Sequence, residues 1–77
     1  MIMEKKQIYW LGPVNEADDF GDVITDTFID GKTIMGPWAC MTPVSFSKVG
    51  LFGQVYQKTK NNQWPKIKDI RQGELMG

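Results

Sequence analysis

The alternation of apolar and polar residues is clearest between residues 23 and 41. Residues 23–29 alternate with a period of two, and residues 33–35 continue the pattern after Asp30-Gly31-Lys32. An Asp-Gly pair between two such runs is typical of a tight hairpin turn. Gly36-Pro37 then redirects the chain, and residues 38–41 extend the returning strand. The pattern therefore predicts a first hairpin that turns at Asp30-Gly31.

The segment before this hairpin contains one further candidate strand. Residues 6–11 are mostly apolar, and Gly12-Pro13 would stop a strand there because proline cannot donate to a ladder. Residues 14–21 are acidic and follow no regular period, so we expect a loop.

A short helix is predicted after Thr42-Pro43. A threonine cap followed by proline at the first helical position is a common helix start, and Val44, Phe46 and Val49 would form the apolar side. Gly50 is predicted as the left-handed residue that ends the helix.

A second hairpin is predicted after Gly53. Residues 54–58 would pair with residues 63–67 across Lys60-Asn61-Asn62, since asparagine tolerates the positive φ of a tight turn. Pro65 indicates an edge strand. The predicted fold class is α+β and β-rich, with two hairpins flanking one short helix and an additional N-terminal strand. Residues 1–68 would form a single domain, and residues 69–77 a flexible tail.

Composition limits how so small a domain is stabilised. The chain has 77 residues, a single cysteine and no histidine, which excludes an internal disulfide and argues strongly against a structural zinc site. Aromatic residues make up 12% of the chain and can supply a core. No apolar run is long enough to span a membrane, and the N-terminal residues do not have the pattern of a signal peptide. We therefore expect a cytoplasmic protein with no membrane partner.

Charge is segregated along the chain although the formal net charge is zero. Residues 16–30 contain six acidic side chains and no basic one, whereas residues 31–68 contain six lysines and no acidic residue. Two interpretations are open: the segments form single-signed binding surfaces, or they pack side by side and neutralise each other.

The stretch of residues 22–67 resembles a group of small, mostly uncharacterised bacteriophage proteins. The most specific motifs are Met35-Gly36-Pro37-Trp38-Ala39 and Gly53-Gln54-Val55-Tyr56. Many members of that group carry cysteines and a histidine at the positions of Thr42, Ser45 and Phe46, so the resemblance implies a degenerate treble-clef or zinc-ribbon-like scaffold that has lost its zinc. It also implies a phage-encoded protein acting in the host cytoplasm.

The reactive residues favour a protein that is not an enzyme. No histidine is present to act as a base near neutral pH, and Cys40 is predicted as a small buried hydrophobe. The acidic cluster of residues 16–22 does not have the spacing of an EF-hand loop. Residues 50–53 lack the lysine of a phosphate-binding loop. We therefore predict no cofactor and no metal.

The remaining hypotheses concern binding. In the first, the protein docks on a host protein and inhibits or redirects it, using aromatic anchors and the acidic segment. In the second, the basic hairpin of residues 54–68 binds nucleic acid with aromatic stacking platforms, although the pI near 6.1 argues against this. In the third, the chain is a minor virion component whose edge strands pair between copies into a homo-oligomer. The candidate partner-binding residues are Asp18, Asp19, Asp22, Trp38, Phe52, Tyr56, Lys58, Lys60 and Trp64.

Overall fold

A computed structural model describes residues 7–74 as one antiparallel sheet with a short helix. The elements are β1 (Thr27–Thr33), β2 (Trp38–Met41), α1 (Pro43–Val49), β3 (Gly50–Gln57) and β4 (Lys66–Arg71). The strands lie in the order β2-β1-β3-β4, and all neighbours are antiparallel. The predicted α+β, β-rich class is confirmed.

The first hairpin is present, but its predicted turn at Asp30-Gly31 is wrong. β1 continues through both residues, and the chain turns between Thr33 and Trp38, where Gly36 has φ 111°. Gly31 instead faces Gly53 across β1 and β3, and a Cβ on Gly31 would overlap the Phe52 carbonyl oxygen. This glycine is therefore needed for a close approach of two strands rather than for a turn.

The helix start is confirmed. The Thr42 side chain accepts a hydrogen bond from the Ser45 backbone N–H, and Pro43 is the first helical residue. The predicted left-handed cap at Gly50 is wrong, because Gly50 has φ −81° and ψ 144° and already belongs to β3. A Cβ at this position would overlap the Phe46 ring, so Gly50 makes room for that ring.

The second hairpin is present, but its strands are Gly50–Gln57 and Lys66–Arg71 rather than residues 54–58 and 63–67. Asn62 has φ 62° in the connection between β3 and β4, as the turn chemistry requires. β4 is an edge strand and runs through Arg71, with Ile70 buried. Three residues that the sequence placed in the tail, 69–71, thus belong to the sheet, and residues 75–77 lie outside the described part.

Within residues 7–11 the predicted N-terminal strand is reduced to a single bridge between Tyr9 and Pro65, and Lys6 lies outside the described part. The Trp10 amide donates to the Trp64 carbonyl at 2.9 Å, and the Lys66 amide donates to the Ile8 carbonyl at 2.7 Å. Pro65 has no N–H, so the ladder cannot continue regularly through it. Residues 14–21 form no helix or strand, as predicted, and β1 begins only at Thr27.

Each face of the sheet carries its own core. Phe46 of α1 packs on one face, against Ile29, Met41, Val55 and Ile70. On the opposite face a cover formed by Trp10, Val14, Ile24 and Trp64 packs on Phe28 and Tyr56. The cover reaches only one end of this second face, which leaves the other end open.

Candidate functional site

The open end of the second face presents two parallel rows of side chains that run across the four strands. Side chains at every second position of a strand lie on this face, and the strand register aligns them in rows across the sheet. The first, which we call the aromatic row, consists in sheet order of Trp38, Lys32, Phe52 and Arg71. The second, the acidic row, consists of Cys40, Asp30, Gln54 and Asp69. Together the two rows form the docking face.

Exposure increases along this face away from the cover. Phe28, beneath the cover, is fully buried, whereas Trp38 and Phe52 are 54% and 45% exposed. The two exposed rings touch edge to face, with centroids 5.8 Å apart and planes at 83°. Of the sequence-predicted site residues, the structure brings these two together although they lie on strands separated by β1.

A shallow groove of about 650 Å³ runs beside this aromatic pair. Trp38 and Phe52 contribute aromatic surface to it, and Gln54, Asp69 and Arg71 contribute polar groups. Gly53, between Phe52 and Gln54 on β3, also lines the groove. The groove therefore combines apolar surface with hydrogen-bonding and charged groups, as binding sites for proteins commonly do.

Charges on the docking face are only partly paired. The Lys32 ammonium donates to the Gly36 carbonyl at 2.7 Å, and Asp69 pairs with Lys66 at 2.9 Å. Within residues 7–74, Arg71 is in no ion pair. Burial, with a smaller contribution from the nearby Asp19 charge, raises the pKa of the Asp30 carboxyl.

Two of the three candidate acidic residues serve the fold rather than an open surface. Asp18 is buried, and its carboxylate accepts hydrogen bonds from the backbone N–H groups of Phe20, Asp22 and Thr42 at 2.8–2.9 Å. Burial alone would raise the pKa of Asp18, but hydrogen bonds from the Ser45 side chain and from these amides outweigh it and lower the pKa to about 2. Asp22 accepts a hydrogen bond from the Thr42 hydroxyl.

Asp19 remains exposed but is bonded to the edge of the sheet. Its carboxylate accepts from the Cys40 amide at 2.8 Å, and its amide donates to the Cys40 carbonyl at 3.1 Å. The acidic loop thus packs along β2 and covers part of that edge. These three residues are thus bonded within the fold, but to backbone N–H groups and the Thr42 hydroxyl rather than to the lysines of residues 31–68.

The stacking platforms proposed for the basic hairpin pack into the core on the second face. Tyr56 is 5% exposed and stacks on Phe28, with ring centroids 5.2 Å apart, and its hydroxyl donates to Gln54. Trp64 is half-buried and packs against the Phe28 ring. Lys58 and Lys60 are exposed. The hairpin therefore offers lysines without the aromatic faces that the nucleic-acid hypothesis requires.

Reactive chemistry is not concentrated at this face. Burial, followed by the charges of Asp19, Asp18 and Asp30, raises the pKa of the Cys40 thiol to about 11, so the thiolate is scarce at neutral pH.

Across residues 7–74 no three acidic or cysteine side chains converge as metal ligands. None of the helical structure in this range has the length and apolar character of a membrane span.

Comparisons with protein-family models, curated proteins and solved structures found no match. The resemblance to phage proteins and to a zinc-ribbon scaffold therefore remains a prediction. The site residues that sequence reasoning missed are Asp30, Lys32, Gln54, Asp69 and Arg71. Period-two alternation places Lys32 on the same face as Asp30, and Arg71 on the same face as Asp69. Only the strand register shows that Lys32 and Arg71 lie in one row with Trp38 and Phe52.

Proposed function

We propose that this protein is a non-enzymatic binding module whose docking face attaches to a partner protein. One observation carries the proposal: Trp38 and Phe52 stay exposed and in mutual contact, while the other end of the same face is covered. Lys32 lies between them on β1, and Arg71 lies beside Phe52 on β4. Tryptophan and arginine are among the residues that most often dominate the energy of protein interfaces.

The reactive groups support a role without catalysis. The raised pKa of Cys40 makes the thiol a weak nucleophile, and the lowered pKa of Asp18 reflects hydrogen bonds that leave it no capacity as a base near neutral pH. The docking face itself holds only aromatic, amide and charged groups beside this thiol.

The resemblance to phage proteins extends the proposal to the nature of the partner. Its two most specific motifs contribute Trp38 and Gln54 to the docking face. In this proposal the chain is phage-encoded, acts in the host cytoplasm, and inhibits or redirects a host protein by covering part of its surface.

The test is affinity purification of the tagged protein from bacterial cells, followed by binding of the purified partner. We expect one stoichiometric partner with the wild-type chain and at least about a tenfold weaker affinity after Trp38→Ser with Phe52→Ser. Phe20→Ser is the matched control, because Phe20 is 44% exposed but lies outside the docking face. A partner that binds the double variant as tightly as the wild type would contradict the proposal.

Nucleic acid is the competing ligand, and a direct binding measurement distinguishes it. Fluorescence anisotropy with single-stranded DNA at low salt should show no binding. Binding that weakens steeply with added salt would favour the nucleic-acid hypothesis instead.

A further inference from the structure

The docking face is uneven in height. The aromatic row consists of the large side chains Trp38, Lys32, Phe52 and Arg71. The acidic row consists of shorter side chains, each two residues away on the same strand, so the rows are about 7 Å apart. A surface that fits this face needs a low row opposite the aromatic row and a tall row opposite the acidic row.

The same two rows also carry opposite charge. Lys32 and Arg71 are the charged members of the aromatic row, and Asp30 and Asp69 are those of the acidic row. On β1 and on β4, therefore, a cation and a carboxylate are separated by two residues on one face. A complementary surface must present this arrangement with the rows exchanged.

We propose that a second copy of this chain is such a surface and occupies the docking face in a two-fold symmetric dimer. The axis would run across the strands, between the two rows, and would place the aromatic row of each copy over the acidic row of the other. Trp38 then covers the small Cys40 of the other copy, and Phe52 covers Gln54.

Electrostatic complementarity follows from the same axis. Lys32 lies opposite Asp30, and Arg71 opposite Asp69, and symmetry repeats each pair. The zero net charge of the chain adds no long-range repulsion between copies. Two sheets packed in this way are about 10 Å apart, which is the thickness of an ordinary sandwich core.

The sheet face offers more to a second copy than the sheet edges do. Asp19 is hydrogen-bonded to Cys40 on the β2 edge, and Ile8 and Trp10 are bonded beside the start of β4. The face, by contrast, exposes two aromatic rings that solvent now contacts. In this proposal, homo-oligomerisation through the face replaces the edge pairing expected from the sequence.

The dimer would be reversible, because eight side chains per copy bury less area than a standard protein interface. This inference rests on the proposed function, since it assigns a partner to the same docking face. A host protein would then compete with the second copy, and the monomer released by dilution would be the form that binds it.

Charge reversal at Arg71 and Asp69 tests the proposal by sedimentation velocity over a range of concentrations. Both side chains are exposed, so the variants should fold, which circular dichroism checks. Arg71→Asp places carboxylates opposite one another, and Asp69→Arg places guanidinium groups opposite one another. We expect the wild type to dimerise as concentration rises and each variant to do so at least about tenfold more weakly.

Mixing the two variants is the decisive measurement. In the mixed dimer, the aspartate introduced at position 71 of one chain would face the arginine introduced at position 69 of the other. The second symmetry-related contact would join the unchanged Asp69 of the first chain to the unchanged Arg71 of the second. Opposite charges then meet at both contacts, so we expect a heterodimer about as stable as the wild-type dimer.

Lys58→Asp, an exposed charge reversal outside the face, should dimerise as the wild type does. A wild type that stays monomeric, or a mixture that does not associate, would overturn the dimer. Loss of host-protein binding in the Trp38 and Phe52 double variant would still support the proposed function.

Discussion

The buried carboxylate of Asp18 joins the acidic loop to the start of α1. It accepts hydrogen bonds within its own loop, from Phe20 and Asp22, and from the Thr42 amide 24 residues away. Charge-assisted bonds of this kind are among the stronger ones in proteins, and the Thr42 amide would be left buried without a partner if the carboxylate were removed.

We therefore expect Asp18→Ala to lower the free energy of unfolding by about 3 kcal/mol, because it leaves buried donors unsatisfied. Urea denaturation followed by circular dichroism measures the change. Asp26→Ala is the control, since Asp26 is exposed and its carboxylate accepts hydrogen bonds from the neighbouring Thr25 and Thr27 hydroxyls. It should change stability by less than about 0.5 kcal/mol. Equal effects of the two substitutions would contradict the assigned role.

The lowered pKa of Asp18 makes the same residue sensitive to acid. Its pKa is about 2 in the folded chain against 3.8 as the reference value, so its contribution to stability is complete above the reference value and is lost as the pH falls. We expect a loss of about 2 kcal/mol between about pH 4 and pH 2. Urea denaturation of the wild type and Asp18→Ala across this range should show their difference in stability shrinking, whereas a constant difference would refute the shift.

At the level of the elements, the contact between β1 and β3 depends on two facing glycines. A Cβ on Gly31 would lie 2.9 Å from the Gly53 Cα, and a Cβ on Gly53 would lie 2.6 Å from the Asp30 carbonyl oxygen. Both close contacts involve backbone atoms, which cannot rotate away as a side chain can.

Gly31→Ala should therefore cost about 2–3 kcal/mol of unfolding free energy, because the central strand pair must separate to admit the methyl group. Gly12→Ala makes a useful comparison: its φ is 94° but nothing lies within 4 Å of the added Cβ, so only backbone strain of about 1 kcal/mol is expected. Thermal or urea unfolding compares the two. A smaller cost at Gly31 than at Gly12 would show that the strands adjust easily.

These glycines also explain which elements the sequence could predict. The helix start at Thr42-Pro43 and the positive φ at Asn62 arise from interactions within a few residues, so local chemistry was sufficient. Gly31 and Gly50 were assigned to a turn and a cap because glycine is common there. Their actual roles depend on Gly53 and on the Phe46 ring, and no local pattern records such neighbours.

At the scale of the whole molecule, the sequence indicated the aromatic anchors but not how they divide between core and surface. Trp38, Phe52, Tyr56 and Trp64 were all candidates for binding, and only the first two are strongly exposed. The division follows from where the cover ends on the sheet, which is a long-range property of the chain. The cationic and acidic members of the docking face could not be recognised for the same reason.

Trp10 and Trp38 provide a direct test of this division between cover and docking face. Trp10 packs edge to face on Phe28 and Tyr56, with centroids 5.2 and 5.5 Å away, so Trp10→Ala should cost about 3 kcal/mol of unfolding free energy. Trp38→Ala should change it by less than about 0.5 kcal/mol when measured on dilute monomer, because its ring is mostly in solvent. Urea denaturation of both variants at low protein concentration makes the comparison. If Trp38→Ala destabilised the monomer as much as Trp10→Ala, this ring would belong to the core, and the docking face would lose its principal anchor.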